Sequence, residues 1–216
     1  ENMKYGVQHR LPISTSFSIA KFLNVEPSIN YTERWYFKYI DKEWDPTTRF
    51  IFEGDSIVDT IQGQVLVDTL QGFKAARDFN FSLTFSTRIY GIINFRSKKV
   101  KAIRHVFNPQ ISFAYRPDFG TPFWGNYKEV QRNEAGDIQR YSIYEGFAIF
   151  GQPPDGMSAG MRINLDNNLE MKVASEKDTV KGEKNIKLLE SFNVSTFYDF
   201  AKDSLKLDPI NITAFT

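Results

Sequence analysis

His9 and His105 are the only imidazoles in the chain, and it has no cysteine. A Ser–His hydrolase needs such a ring as general base, oriented by a carboxylate and set against a nucleophile. Neither histidine has an acidic residue at a suggestive spacing, and the two fall on separate predicted strands, so both are read as structural. Two histidines without thiolates also make a poor transition-metal set, so the sequence implies no catalytic residue, no metal and no cofactor. The chemistry that remains is cationic and positional. Arg34, Lys38, Arg88, Arg104, Arg116 and Arg162 all share one phase of a two-residue alternation. Cations gathered on one face suit pairing with carboxylates or phosphates.

The elements that must position these cations are strands. Leu11, Ile13, Phe17 and Ile19 oppose Pro12, Ser14, Ser16 and Ser18. Val25, Pro27, Ile29, Tyr31, Trp35 and Phe37 then oppose Asn24, Glu26, Ser28, Asn30, Arg34 and Lys38. The same alternation runs through residues 79–95, 103–116 and 159–171. A strand sends successive side chains to opposite faces, so each segment has an apolar and a wet side. The fold class is all-β, with antiparallel up-and-down strands. About eight strands are expected across residues 1–216, including one from Arg140 to Phe150, with tight turns near Phe22, Lys98, Pro154 and Asp203. Long polar loops are expected near 41–74, 117–139 and 174–185, with some β character at 50–67.

Composition narrows the partner. The formal net charge is +1, which gives no bulk field for nucleic acid. Mean hydropathy is −0.40, and no apolar run approaches the ~18 residues of a membrane helix. Neither fact excludes a membrane barrel, whose strands hide their hydrophobicity in alternation. Glu1–Lys4 carries no signal-peptide core, and both ends read as internal to something larger.

Lipid or protein could cover the apolar phase. Long strands, alternating short and long connections, and cations confined to one phase favour an outer-membrane barrel wall. Phe17, Ile29, Phe81, Phe85, Ile111 and Phe113 would then face lipid, and Trp35, Tyr36 and Tyr39 would form an aromatic girdle. Arg34, Lys38, Arg88, Arg104 and Arg116 would face the lumen. Glu33, His105 and Glu190 fall on the apolar phase and depart from the pattern. Pro12, Pro27 and Pro109 interrupt strand patterns and are read as local bulges or strand ends. A soluble lipid-binding β-barrel remains the alternative.

The run Ile103-Arg104-His105-Val106-Phe107-Asn108-Pro109-Gln110-Ile111-Ser112-Phe113-Ala114-Tyr115-Arg116-Pro117-Asp118-Phe119 resembles a segment of the LptD-type lipopolysaccharide assembly proteins, in their Bacteroidota version. Asn167–Val173, Lys177-Asp178-Thr179, Ile186–Glu190, Asp203–Leu207, Val7–Pro12 and Pro27–Tyr31 are similar as well, in the family's order. The resemblance implies an internal segment of a transmembrane barrel in the outer membrane of a Gram-negative bacterium, passing lipopolysaccharide to the outer leaflet without catalysis. It also implies an LptE-like lipoprotein plug and a periplasmic Lpt bridge, reached through an N-terminal domain this chain lacks. The lumen cations would pair with the plug or with lipopolysaccharide. A segment of a porin or TonB-dependent transporter would share the wall but carry another cargo.

Overall fold

The computed structural model describes residues 3–54, 56–97, 99–175 and 183–216. Its elements are β1 (Gly6–Ser14), β2 (Phe17–Ile19), β3 (Leu23–Glu53), β4 (Ser56–Ser86), β5 (Ile89–Asn94), β6 (Val100–Arg116), a 3-10 turn (Pro122–Trp124), β7 (Tyr127–Gln131), β8 (Ile138–Ser142), β9 (Ser158–Ala174), β10 (Glu183–Asp199) and β11 (Asn211–Phe215). The all-β, up-and-down expectation holds. The main sheet runs β1-β3-β4-β6-β9-β10-β11, with β2 and β5 as further pieces on β3 and β6, and β7–β8 form a separate hairpin.

The chain divides into two compact units. The first comprises Glu1–Leu11, Asn30–Phe79 and Pro117–Met157; the second comprises Pro12–Ile29, Asn80–Arg116 and Ser158–Thr216.

In the second unit, β6 is the central strand. Ile111 stands opposite Phe85 on one side and Ile163 on the other, while Ser112 stands opposite Thr84 and Arg162. At these positions apolar residues meet apolar ones across the strands, and polar residues meet polar ones. A one-residue slip would exchange the two sets, so the register is strongly specified.

Pro109 acts through that register and not through a bulge. β4 and β5 keep one register against β6, Ser86 facing Gln110 and Ile89 facing Phe107, so Pro109 faces Thr87. Thr87 donates its N–H to the Pro109 carbonyl at 3.2 Å. Proline has no N–H to return, and strand assignment lapses at Thr87 and Arg88. Pro27 repeats the arrangement with Thr15, whose N–H reaches the Pro27 carbonyl at 3.3 Å in the gap between β1 and β2. True bulges occur in β10, between Lys187 and Leu189 and between Leu189 and Phe192.

Several sequence expectations need correction. The segment at 41–74, read as a polar loop, is mostly strand, because β3 and β4 continue as a ribbon toward Gly54. Its charged residues break the apolar alternation that marks a half-buried strand, which masked it. Gly63, at φ +67°, lies under the Trp44 ring, where a Cβ would come within 2.3 Å. The loop at 117–139 contains the 3-10 turn and β7. The strand expected from Arg140 to Phe150 ends at Ser142. Of the loop near 174–185, Glu183 onward is strand, and 176–182 lie outside the described residues. Lys98 of the turn after β5 lies outside them too.

Replacing Pro109 with Ala supplies the missing ladder donor, for a net gain of about 1 kcal/mol. Amide exchange should slow around Thr87 and Arg88. Unchanged exchange there would show that the proline does not cause the gap.

Candidate functional site

The predicted cations divide between the two units. Arg34 and Lys38 belong to the first, and Arg88, Arg104 and Arg116 to the second. In the first unit the segment after β8 lies against the polar phase of β3. Arg34 forms an ion pair with Asp78, its side chain is only 12% exposed, and its Nε donates to the Phe150 carbonyl at 3.0 Å. Lys38 places its ammonium 6.0 Å from the centroid of the Phe147 ring. Both cations are therefore engaged by the chain's own residues.

Tyr36 anchors this cover. The residue is fully buried and clusters with Ala76, Ile143 and Tyr144. Its hydroxyl donates to the Gly151 carbonyl at 2.6 Å and accepts from the Phe150 N–H at 3.3 Å. Its ring lies 5.2 Å from that of Tyr144. The girdle assignment of Tyr36 is thus corrected, because Tyr36 shares the phase of Arg34 and Lys38 and packs under the loop segment. Trp35, one residue before it, takes the other phase, with its ring 4.6 Å from His9 and 5.8 Å from Phe73. Tyr39 carries the Lys74 ammonium 4.8 Å over its ring.

A second clasp lies further along β3. Asp41 accepts from Lys128 Nζ at 3.0 Å and from the Tyr141 hydroxyl at 2.9 Å. Those bonds hold its carboxyl below the usual range. Lys42 pairs with Glu145 at 2.7 Å and lies 5.0 Å over the Tyr141 ring. Burial pushes the Tyr144 phenol up to about 12.

The polar residues on the apolar phase are each accounted for. Glu33 accepts from the Tyr31 hydroxyl and from Trp35 Nε1, and pairs with Arg77 at 3.3 Å. His105 Nε2 lies 3.0 Å from Asn167 Oδ1. Glu190 lies within the second β10 bulge; the first bulge shifts the phase and the second restores it. Leu189 thereby takes the apolar place opposite Leu169, while the Glu190 carboxylate meets Lys187.

In the second unit, Arg88 Nε donates to Asn108 Oδ1 at 2.9 Å, and Arg104 pairs with Glu170 at 3.0 Å. On the other phase Phe17 is 51% exposed, Ile29 41%, and Ile111 and Phe113 each 37%, so no layer of the described residues covers them. Phe81 and Phe85 are half-buried among their neighbours.

Sequence reasoning missed the amides on the wet phase. Asn193 Nδ2 donates to Asn164 Oδ1 at 2.7 Å and to Asp166 Oδ1 at 2.6 Å, and Asn164 Nδ2 donates to Asp166 Oδ2 at 3.0 Å. The signal was the recurrence of Asn and Asp in the polar phase of one strand, which gains meaning only once β10 is paired with β9. Among the described residues, no group of three or more His, Cys, Asp or Glu side chains could hold a metal.

Across residues 1–216 the sequence matches the family model described as LptD protein. No curated protein and no solved structure matches.

Tyr36→Ala should cost about 3 kcal/mol or more through the lost buried ring and leave residues 143–151 open to limited proteolysis. Tyr36→Phe, which keeps the ring, should be cleaved far more slowly; equal cleavage would mean that the ring does not hold the segment. The raised phenol of Tyr144 also sets a pH window. Between its ordinary value of 10.0 and about 12, the folded chain keeps a proton that the unfolded chain has lost. Stability should therefore fall as pH rises through that window, and less so in Tyr144→Phe. Identical alkaline profiles for the two proteins would contradict the assignment.

Proposed function

The chain belongs to the LptD protein family, and from that premise we propose that it is a stretch of transmembrane barrel wall that passes lipopolysaccharide to the outer leaflet. The family acts in lipopolysaccharide assembly at the Gram-negative outer membrane, and it is a transport and assembly family, not one of enzymes. In the proposal the apolar phase meets acyl chains and the polar phase lines the lumen. An LptE-like lipoprotein would plug that lumen, and the periplasmic Lpt bridge would load it through a preceding domain.

The observation that carries this reading is the exposed apolar phase of the second unit. A soluble protein rarely leaves so continuous an array of Phe and Ile in water. Lipid would cover it at no cost, whereas the wet phase keeps Arg88, Arg104 and Arg162 out of the bilayer. The mechanism is structural: polar groups accompany the sugar part of an amphipathic lipid while the acyl chains move laterally. Arg34 and Lys38 are only partly exposed and are engaged by Asp78, Phe150 and Phe147, so the more exposed Arg88 and Arg104 are the better candidates for anionic contact.

Paired substitutions test the phase. Phe85→Lys should cost about 2–4 kcal/mol at mid-depth and impair assembly of the full-length protein, while Ser86→Lys should be tolerated. Equal tolerance would remove lipid from the Phe85 side. The soluble rival is tested alongside: a parent protein that stays monomeric without detergent would refute the membrane reading.

A further inference from the structure

We propose that the wet face of β6, β9 and β10 is a docking platform for neutral sugar, built from cross-strand amides and one ring-supported guanidinium. The proposal deepens the reading above and rests on it for the source of the sugar, the saccharide part of lipopolysaccharide. All the residues concerned lie in the second unit.

Register assembles the platform row by row. Gln110 stands opposite Asn164, and Asn164 opposite Ser195. The next row sets Asn108, Asp166 and Asn193 side by side, and the row beyond the first sets Ser112, Arg162 and Phe197. Rows on one face lie about 7 Å apart and strands about 5 Å apart, giving room for a short oligosaccharide.

The platform is pre-formed. Asn193 is tied to both Asn164 and Asp166, so little rotamer entropy remains to be lost when a ligand arrives. The Phe197 ring occupies the space above Gly160, where a Cβ would come within 2.1 Å of it. Arg162 lies 5.4 Å from that ring's centroid, so Phe197 supports an exposed fork of N–H donors. The Gln110 carboxamide is exposed and makes no side-chain hydrogen bond among the described residues.

The chemistry selects the ligand. A carboxamide offers a donor and an acceptor, matching a hydroxyl that is both. Asp166, in the row of Asn108 and Asn193, disfavours a phosphate there, and its carboxylate is already met by amides. A protein partner is disfavoured as well, since interface cores need apolar or aromatic anchors and the only large ring in these rows lies beneath Arg162. A neutral polyhydroxylated chain fits what remains.

The test replaces Gln110 with a photoreactive benzophenone amino acid in the full-length protein, in cells that make complete lipopolysaccharide. Ile111, on the opposite phase, serves as control. A lipopolysaccharide adduct should form at residue 110 and exceed that at residue 111 at least fivefold. The adduct should fall at least fivefold with Arg162→Ala, an exposed change that leaves the Asn193 network intact, and also when the cells make lipid A without neutral sugars. An undiminished adduct with sugar-free lipid would overturn the proposal, as would an adduct only to a lipoprotein. No adduct at residue 110 alongside adducts at other wet-face positions would overturn the platform and leave the transport reading standing. Absence of lipopolysaccharide adducts at every wet-face position would overturn both.

Discussion

Everything in the second unit depends on register. Side chains alternate with a period of two, so a single-residue shift of β6 against β9 would drive Arg104 to the side of Ile103 and Ile163. No intermediate arrangement exists between correct and inverted. That constraint explains why departures from the pattern are handled one at a time. Glu190 is turned back by a pair of bulges, His105 is given Asn167, and Glu33, in the first unit, is met by Tyr31, Trp35 and Arg77. Pro109 respects the same rule: it removes a hydrogen bond without moving the register.

The first unit solves a different problem. Its polar phase is covered by residues 143–151, and the cover is held by a buried tyrosine, backbone carbonyls and salt links, not by alternation. Asn126 shows how complete the cover is: it is buried, donates to the Phe119 carbonyl at 3.1 Å and receives the Tyr144 hydroxyl. A loop segment can be buried only when its polar groups are paired in this way.

The strands of the second unit could be read directly from sequence, because half-buried strands write their two environments into alternate residues. Phe81 to Ser86 and Gln110 to Tyr115 are the plainest cases. The ribbon at 41–74 could not be read so, since its charged residues interrupt the alternation. Nor could the burial of Tyr36, which depends on Tyr144 far along the chain. Phase alone placed Tyr36 beside Arg34, and the neighbouring Trp35 and Tyr39 drew it wrongly into the girdle. The cationic residues were found because charge on one phase is visible in one strand. The amide platform was not, because Asn164 and Asn193 become neighbours only through pairing.

Lipid against the apolar phase is the central claim, and spin-label accessibility tests it most directly. Nitroxides placed in turn at residues 81–86 and 110–115 of the full-length protein in liposomes report contact with dissolved oxygen, which concentrates in lipid, and with a water-soluble nickel complex. The predicted result is an alternation of period two. Labels at Phe81, Leu83, Phe85, Ile111, Phe113 and Tyr115 should respond to oxygen, and those between them to nickel. Labels on the apolar phase that respond to neither reagent would place protein, not lipid, against that face and contradict the claim.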